Sequence, residues 1–211
     1  MSAGPMYDLS PPLSPALAVW PGDTPLSREV LQDLARGDSV TLSTLRATAH
    51  LGAHADAPSH YAAGAPAIDA RSLDFYLGEC QVMRVGVRRG GLVRPEALSA
   101  VVAPRVLIHT GTCPDPGVFP RDFAALAPEL IDFLHARGVR LVGTDAPSVD
   151  PADSKTLDAH RRCLAHDMAI LEGLALDPVP EGRYELIALP LRLVGFDASP
   201  VRAVLRSWRR P

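Results

Sequence analysis

The segment that most constrains this chain is His50–His60, which reads HLGAHADAPSH. It contains three histidines and one aspartate, and imidazole nitrogens and carboxylate oxygens are ligands that zinc and similar divalent cations accept. Gly52 and Pro58 both oppose a continuous helix, since glycine costs backbone entropy there and proline lacks the N–H that a helix interior needs. The segment is therefore predicted to be the irregular end of a strand.

The spacing H-x3-H-x-D favours the same geometry. In an extended segment His50, His54 and Asp56 would share one side, whereas on a helix Asp56 would point away from both histidines. Three ligand-type side chains are thus expected to curl toward one point. His60, beyond Pro58, is available as a further ligand or as a proton carrier. The alternative is that all of these are surface polar groups without a metal, so the motif needs structural context.

The overall composition argues against several other classes of protein. The net charge is −3 and aromatic residues make up 5% of the chain, which gives no electrostatic or stacking basis for nucleic-acid binding. The three cysteines are widely spaced and odd in number, so a reducing compartment fits better than a disulfide framework. No signal segment is visible, and no apolar run approaches the ~20 residues that span a bilayer. We predict a cytoplasmic protein with neither nucleic-acid nor membrane partners.

Strand-like and helix-like patterns alternate along the chain and predict an α/β fold. The length of 211 residues suits one domain with its own core, so residues 1–211 are predicted to form a single domain. A helix over 128–137 lies between apolar strands, which indicates a βαβ unit and a mixed sheet. The other strands are predicted over 6–9, 41–49, 81–87, 105–110, 139–143, 169–176 and 184–194.

A last helix is predicted at the C-terminal end of the chain. Ser199 would cap this helix, and Val201, Val204, Leu205 and Trp208 follow the i, i+3, i+4, i+7 spacing of an apolar helix face.

Further candidate ligands occur in the second half of the chain. Glu172 is the only charge in an apolar run, and burying a lone carboxylate is costly unless it is paired or bound to a cation. If Glu172 instead faced the surface, Leu171 and Gly173 would point inward, which is a poor use of glycine. His160 and His166 lie in a polar segment that we predict to be irregular, where either could be exposed.

Two further residues have more than one interpretation. Trp20 lies in VWPGDTP, and a lone tryptophan is usually part of a core. Between prolines and a glycine, Trp20 is also well placed to line a pocket for a ring. His109 ends a buried strand candidate and is interpreted as structural or peripheral, because nothing near it in the sequence forms a ligand pattern.

Taken together, these segments resemble the bacterial kynurenine formamidases, which are metal-dependent arylformamidases within the cyclase family of hydrolases. The likeness rests on HLGAHADAPSH, TDAPSVD, SKTLDAH, ILEGL, YELIALPL and DASPVRAVL, and extends to YDLSPPLSP and VWPGDTP. The H-x-G-x-H-x-D-x-P-x-H core is specific to the wider family, and the C-terminal segments narrow the resemblance to the formamidases. Within this motif, Ala53 stands where the wider family usually has threonine. Because the side chain at this position is not expected to bind a metal, the substitution does not affect the predicted ligands.

The resemblance implies a single-domain, cyclase-like swivelling β/β/α fold with a mixed sheet, a homodimer, and two Zn²⁺ ions per subunit. Manganese and cobalt also accept such N and O ligands. Carried over by motif, His50, His54 and Asp56 would hold one metal. Asp56 and Glu172 would bridge to a second metal that His160 also binds. The role of His166 stays open.

The activity that the resemblance implies is hydrolysis of N-formyl-L-kynurenine to L-kynurenine and formate, a step in tryptophan breakdown. Metal-activated hydroxide would attack the formyl carbon while a metal stabilises the oxyanion. His60 would be the general acid/base that delivers a proton to the departing aniline nitrogen. Trp20 would pack against the aromatic part of the substrate. The chain contains no G-x-S-x-G elbow, so a serine route is not supported.

Two alternatives accompany this prediction. A cyclase-family amidohydrolase could act on another cyclic amide or N-acyl arylamine, since the sequence does not define the shape of the pocket. A non-catalytic metal-binding protein would instead have closed coordination, with no position open to water.

Overall fold

A nine-stranded mixed sheet forms the centre of the protein, in a computed structural model that describes residues 4–207. The strands are β1 (Met6–Asp8), β2 (Ser27–Gln32), β3 (Leu42–Arg46), β4 (His54–Asp56), β5 (Leu77–Arg84), β6 (Leu92–Val93), β7 (Arg105–His109), β8 (Ala125–Leu126), β9 (Leu141–Thr144), β10 (Ala169–Glu172), β11 (Gly182–Ile187), β12 (Ala198–Pro200) and β13 (Val204–Ser207). The α-helices of these residues are α1 (Pro128–His135) and α2 (Asp158–Ala165). Neither has the length and hydropathy that a membrane crossing requires.

The strand order of the large sheet is β1-β13-β11-β5-β7-β9-β10-β4-β12. The pairs β5/β7, β7/β9 and β9/β10 are parallel, and the flanking pairs on both sides are antiparallel. Helix α1 connects β7 to its parallel neighbour β9, so the predicted βαβ unit is confirmed. Strands β2 and β3 pair with each other as a separate exposed ribbon, and β6 pairs with β8.

Apolar side chains cover both faces of the parallel strands. Along β7, Leu107 packs into one apolar layer, while Val106 and Ile108 pack into the layer on the opposite face. The second layer also holds the buried apolar residues of α1 and α2, so both helices cover the same face. Burial on both faces explains why these strands read as continuous apolar runs.

The predicted C-terminal helix is wrong. Residues 198–200 and 204–207 form β12 and β13, and β13 pairs with β1 and β11. Val201, Ala203 and Leu205 are buried, whereas the intervening Arg202 is exposed, so the spacing that the fold uses is two residues. Ser199 does not cap a helix; its hydroxyl accepts a hydrogen bond from the N–H of Leu191. The prediction for Trp208 lies outside the described residues.

The segment 158–167, predicted to be irregular, contains α2 instead. The N–H groups of Ala159 and His160 donate to the carboxylate of Asp150, which caps the helix from the preceding loop. The residue immediately before the helix, Leu157, makes no side-chain capping bond. The strand predicted over 169–176 ends at Glu172, because Gly173 adopts a left-handed backbone with φ of 65°.

Candidate metal centre

Strand pairing brings residues from distant segments to one place. Within and directly beside β4, the alanines at 53, 55 and 57 pack into an apolar layer, so His54 and Asp56 emerge together on the opposite face. Strand β10 runs antiparallel to β4 and places Glu172 directly opposite His54. His160 reaches the same point from the first turn of α2, and His50 comes from the turn before β4.

The donor atoms of these side chains lie a few ångströms apart. Asp56 Oδ1 is 3.1 Å from His50 Nδ1 and 3.3 Å from His54 Nε2, and Asp56 Oδ2 is 3.2 Å from His160 Nε2. Glu172 lies 3.4 Å from His54 Nε2 and 3.6 Å from His160 Nε2. Ligands held at zinc–ligand distances in a tetrahedron are separated by roughly 3.4 Å. The spacing therefore fits ligands arranged around cations.

Burial makes a cation-free arrangement costly. Asp56, Glu172, His54 and His160 are each at most 3% exposed. The surface-facing alternative for Glu172 is therefore wrong, and His160 is not exposed. His54 Nε2 and Asp56 Oδ1 are buried and have no hydrogen-bond partner among the described residues. Buried polar atoms of this kind need a partner, and a divalent cation would supply one to both.

Each histidine of the centre is oriented by an acceptor on its outer side. His54 Nδ1 lies 2.9 Å from the carbonyl oxygen of Gly52, His160 Nδ1 lies 2.7 Å from Asp150, and His50 Nε2 lies 3.0 Å from Asp197. Carbonyls and carboxylates only accept, so the outer nitrogens carry the protons and the inner nitrogens face Asp56. This is the usual support of a metal-binding histidine.

Asp150 and Asp197 were missed by sequence reasoning. Asp150 ends TDAPSVD and Asp197 begins DASPVRAVL, two of the segments that carry the family resemblance. Their presence in those segments could have indicated that they belong to the site. Which histidine each carboxylate contacts, however, depends on the fold.

The pKa values show how the centre is balanced without a cation. Burial by itself lowers the pKa of His54, but the adjacent carboxylates of Asp56 and Glu172 outweigh burial and raise it to about 10. For His160, burial is likewise outweighed by hydrogen bonds to Asp150 and Asp56, which raise its pKa to about 10. Burial raises the pKa of Asp56, but its histidine neighbours hold that pKa well below the usual range. Either protons or cations must therefore neutralise the carboxylates.

His60 lies beside the centre at the end of a 3-10 helix, with its side chain 36% exposed. Its ring centroid is 4.2 Å from that of His50, and its Nδ1 is 3.5 Å from Asp197 Oδ2. Ligand atoms of His50, Asp56 and His60 all lie within 4.8 Å of one another, as do those of His54, Asp56 and Glu172. Asp56 belongs to both groups, and His60 is close enough to act either as a ligand or as a proton carrier.

His166 is not part of the centre. Its Nε2 lies 2.7 Å from Asp132 Oδ1, and its ring stacks on His135 with centroids 4.0 Å apart. The choice between His160 and His166 was thus decided by the placement of α2.

The centre opens into a cavity of about 540 Å³. Its lining includes His50, His60 and Glu172 on one side and Trp20 and Phe119 elsewhere on the wall. Trp20 is 39% exposed and packs edge-to-face on Phe119 with ring centroids 5.0 Å apart. Of its two interpretations, the structure supports the pocket-lining one. The cavity thus combines a polar, cation-compatible region with an aromatic wall.

Comparisons with known proteins identify the family of the chain. The Cyclase family model, described as Putative cyclase, matches residues 7–151, and the chain belongs to this family. A potential metal-dependent hydrolase with cyclase activity is 26% identical, with a TM-score of 0.85 over 99% of this chain and 100% of the other. A predicted metal-dependent hydrolase from Bacillus stearothermophilus is 27% identical, with a TM-score of 0.82 over 98% and 100%.

A third solved structure extends the likeness in fold. Isatin hydrolase A from Labrenzia aggregata, bound to benzyl benzoate, is 22% identical, with a TM-score of 0.81 over 97% of this chain and 94% of the other. The predicted cyclase-like α/β fold with a mixed sheet is thereby confirmed. The protein is a metal-dependent hydrolase of the cyclase family.

Proposed function

We propose that this hydrolase is an arylformamidase that converts N-formyl-L-kynurenine to L-kynurenine and formate. The observation that carries the proposal is the pair of buried, unpaired atoms His54 Nε2 and Asp56 Oδ1 beside a cavity that also has an aromatic wall. An N-formyl arylamine needs both features, because its amide must be polarised while its ring is held by apolar contacts.

We assign the five predicted ligands to two Zn²⁺ ions per subunit. His50, His54 and Asp56 would hold one ion, while His160 would hold the other together with Glu172 and Asp56, whose two oxygens face different histidines. When bound, such cations lower the pKa of water and stabilise negative charge on a carbonyl oxygen. The outer acceptors Gly52, Asp150 and Asp197 fix the histidine rings.

His60 is assigned the proton transfer. Its Nδ1 faces Asp197, which leaves Nε2 for the substrate, and its exposed side chain reaches the cavity. An aniline nitrogen is a poor leaving group until it is protonated, so a proton donor beside the centre accelerates C–N cleavage. Trp20 would pack against the aryl ring.

The test is a hydrolysis assay of purified protein with N-formyl-L-kynurenine. Zinc-loaded protein should turn the substrate over, a chelator should abolish turnover, and added metal should restore it. Absence of turnover by fully metal-loaded protein would refute the proposal.

A second candidate substrate class is a cyclic amide, and the likeness in fold to isatin hydrolase A favours including it. A panel containing isatin, N-formyl-L-kynurenine and other N-acyl arylamines should give the highest kcat/KM for the formyl compound. A higher value for isatin would replace the arylamide assignment with the cyclic one.

Replacing His60 by alanine separates the catalytic proposals from a non-catalytic metal-binding role. Loss of a general acid/base should lower kcat by about 100-fold or more. Because His60 is not among the five assigned ligands, bound metal per chain, measured by mass spectrometry of the metal, should remain unchanged. Parallel loss of metal would make His60 a ligand, which its distance to His50 and Asp56 permits.

We also propose that the enzyme is a homodimer. The β2–β3 ribbon exposes Leu31, Leu42 and Leu45, with 50%, 49% and 69% of their surfaces accessible. An exposed apolar ribbon of this kind favours contact with another protein surface. Single-domain organisation over 1–211 and a cytoplasmic location remain predictions from the sequence.

A further inference from the structure

Away from the metal ligands, the cavity wall carries two aspartates that are linked by a buried histidine. Asp145 and Asp177 both line the cavity. His109 Nε2 lies 2.8 Å from Asp177 Oδ1 and 3.6 Å from Asp145 Oδ2, and His109 is only 7% exposed. His109, interpreted from the sequence as structural or peripheral, therefore supports the wall of the cavity.

The two aspartates differ in how many hydrogen bonds their carboxylates accept. Asp145 accepts hydrogen bonds from the N–H groups of Thr110 and Gly111 and from the Thr110 hydroxyl, so its side chain is fixed. Asp177 is 65% exposed at its side chain, and one of its oxygens is engaged by His109. Its other oxygen takes no hydrogen bond from any residue in the range 4–207. Asp177 is thus held in place with one acceptor available.

The charges around the cavity have one sign outside the metal centre. Among the described residues that line it, none is lysine or arginine, whereas Asp23, Asp115, Asp145 and Asp177 all contribute. A substrate carboxylate would find no cationic side chain on this wall, and an ammonium group would be attracted to it. His54, whose buried Nε2 has no hydrogen-bond partner among the described residues, lines the same cavity, so the metal centre and Asp177 share one cavity.

We propose that Asp177, positioned by His109 and Asp145, is a specificity-determining residue that binds an ammonium group on the substrate. The preferred substrate class is then an N-acyl arylamine whose side chain carries a protonated amine, and a carboxylate on that side chain is dispensable. The residues from Glu172 to Asp177 all line the cavity, so a continuous wall joins the metal centre to Asp177. This inference rests on the proposed arylformamidase function.

The first experiment compares three substrates on the zinc-loaded full chain: N-formyl-L-kynurenine, its decarboxylated analogue, and its deaminated analogue. Loss of the amine should lower kcat/KM by about fivefold, mainly through KM, because an exposed ion pair contributes modestly. Loss of the carboxylate should leave kcat/KM unchanged or raise it. The reverse ranking would overturn the proposal.

The second experiment assigns the effect to one residue. Asp177→Asn should lower kcat/KM about three- to fivefold for the two substrates that carry an amine and leave the deaminated substrate unaffected. Asp115→Asn is the matched control, because it removes one charge from the same cavity without a contact to His109. Equal effects of the two substitutions would show that the negative charge of the whole cavity attracts the substrate, and would overturn the specific role of Asp177.

A binding measurement keeps this inference separate from the proposed function. Calorimetric titration with L-kynurenine and with its deaminated analogue needs no turnover. Weaker binding of the deaminated compound, and loss of that difference in Asp177→Asn, would support ammonium recognition even if no formyl substrate were hydrolysed. Equal binding of both compounds to the unmodified enzyme would overturn it even if the formamidase assay succeeded.

Discussion

At the residue scale, Asp56 is the side chain on which the centre depends. It is 1% exposed and lies 3.1 to 3.3 Å from nitrogens of His50, His54 and His160. A buried carboxylate must be neutralised, so these histidines either carry protons or share a cation with it. The two states compete, which links metal binding to pH.

Metal binding is predicted to release protons. The pKa values of His54 and His160 are about 10 in the metal-free protein, so both are protonated at neutral pH, and a cation must displace those protons. Metal affinity should therefore rise with pH across the neutral range and level off above about pH 10. Calorimetry in buffers of different ionisation enthalpy counts the protons. Binding at pH 7.5 without proton release would contradict the expectation.

The same pKa shifts predict how the metal-free protein responds to pH. A histidine whose pKa is raised on folding stabilises the fold fully below its unfolded pKa of ~6.5, and this contribution is lost as the pH rises through about 10. Thermal unfolding of the metal-free protein should therefore occur at lower temperature at pH 9.5 than at pH 6.5. Zinc-loaded protein provides the comparison, since its histidines are already deprotonated.

Asp150 is predicted to set metal affinity through His160. Asp150→Asn removes the charge that orients His160 Nδ1 while keeping one oxygen, which can accept from one of the two α2 N–H groups. Loss of such a supporting carboxylate should weaken metal binding by about 10- to 100-fold, measured by competition with a chelator. Ser154→Ala is the control, because it removes only a bond to the Leu157 N–H just before α2. Equal metal affinity in both variants would show that Asp150 acts only as a helix cap.

At the element scale, the β4–β10 pair depends on Gly173. This residue follows Glu172 with φ of 65°, and an added Cβ would collide with the carbonyl oxygen of Gly52. That carbonyl is the acceptor for His54 Nδ1, so the close approach of the two backbones supports both sides of the centre.

Gly173→Ala is predicted to lower the free energy of unfolding by about 2–4 kcal/mol, through left-handed strain and the collision, and to weaken metal binding. Gly37→Ala separates the two causes, because Gly37 has φ of 90° but open space around it. It should cost only about 1 kcal/mol, with metal affinity unchanged. Denaturant unfolding and chelator competition measure both quantities. A Gly173→Ala protein with unaltered metal affinity would contradict the coupling.

At the scale of the whole molecule, the exposed β2–β3 ribbon predicts assembly. Leu45 is 69% exposed, so Leu45→Glu should not disturb the folded subunit but should convert a dimer to monomers, seen by light scattering after size-exclusion chromatography. Val194→Glu is a matched control, because Val194 is 79% exposed and lies outside the ribbon. A monomeric unmodified protein would contradict the dimer, and a dimer unaffected by Leu45→Glu would place its interface elsewhere.

The sequence by itself determined the properties that depend on local spacing. The alternation of alanine with His54 and Asp56 put both ligand-type side chains on one face of β4, and the apolar runs around α1 gave the parallel β7–β9 pair. Glu172 stood out because an isolated charge in an apolar strand requires a partner. These signals are carried by neighbouring residues, so they are visible without the fold.

Only the tertiary structure decided which distant groups meet. The antiparallel register of β10 on β4 sets Glu172 opposite His54, and the loop that carries Asp150 both caps α2 and orients His160. The C-terminal segment became strands because β1 and β11 offered pairing partners to a short apolar pattern that also fits a helix. Such outcomes depend on contacts between separate elements of the chain. The free energies of these contacts cannot be inferred from a local sequence pattern.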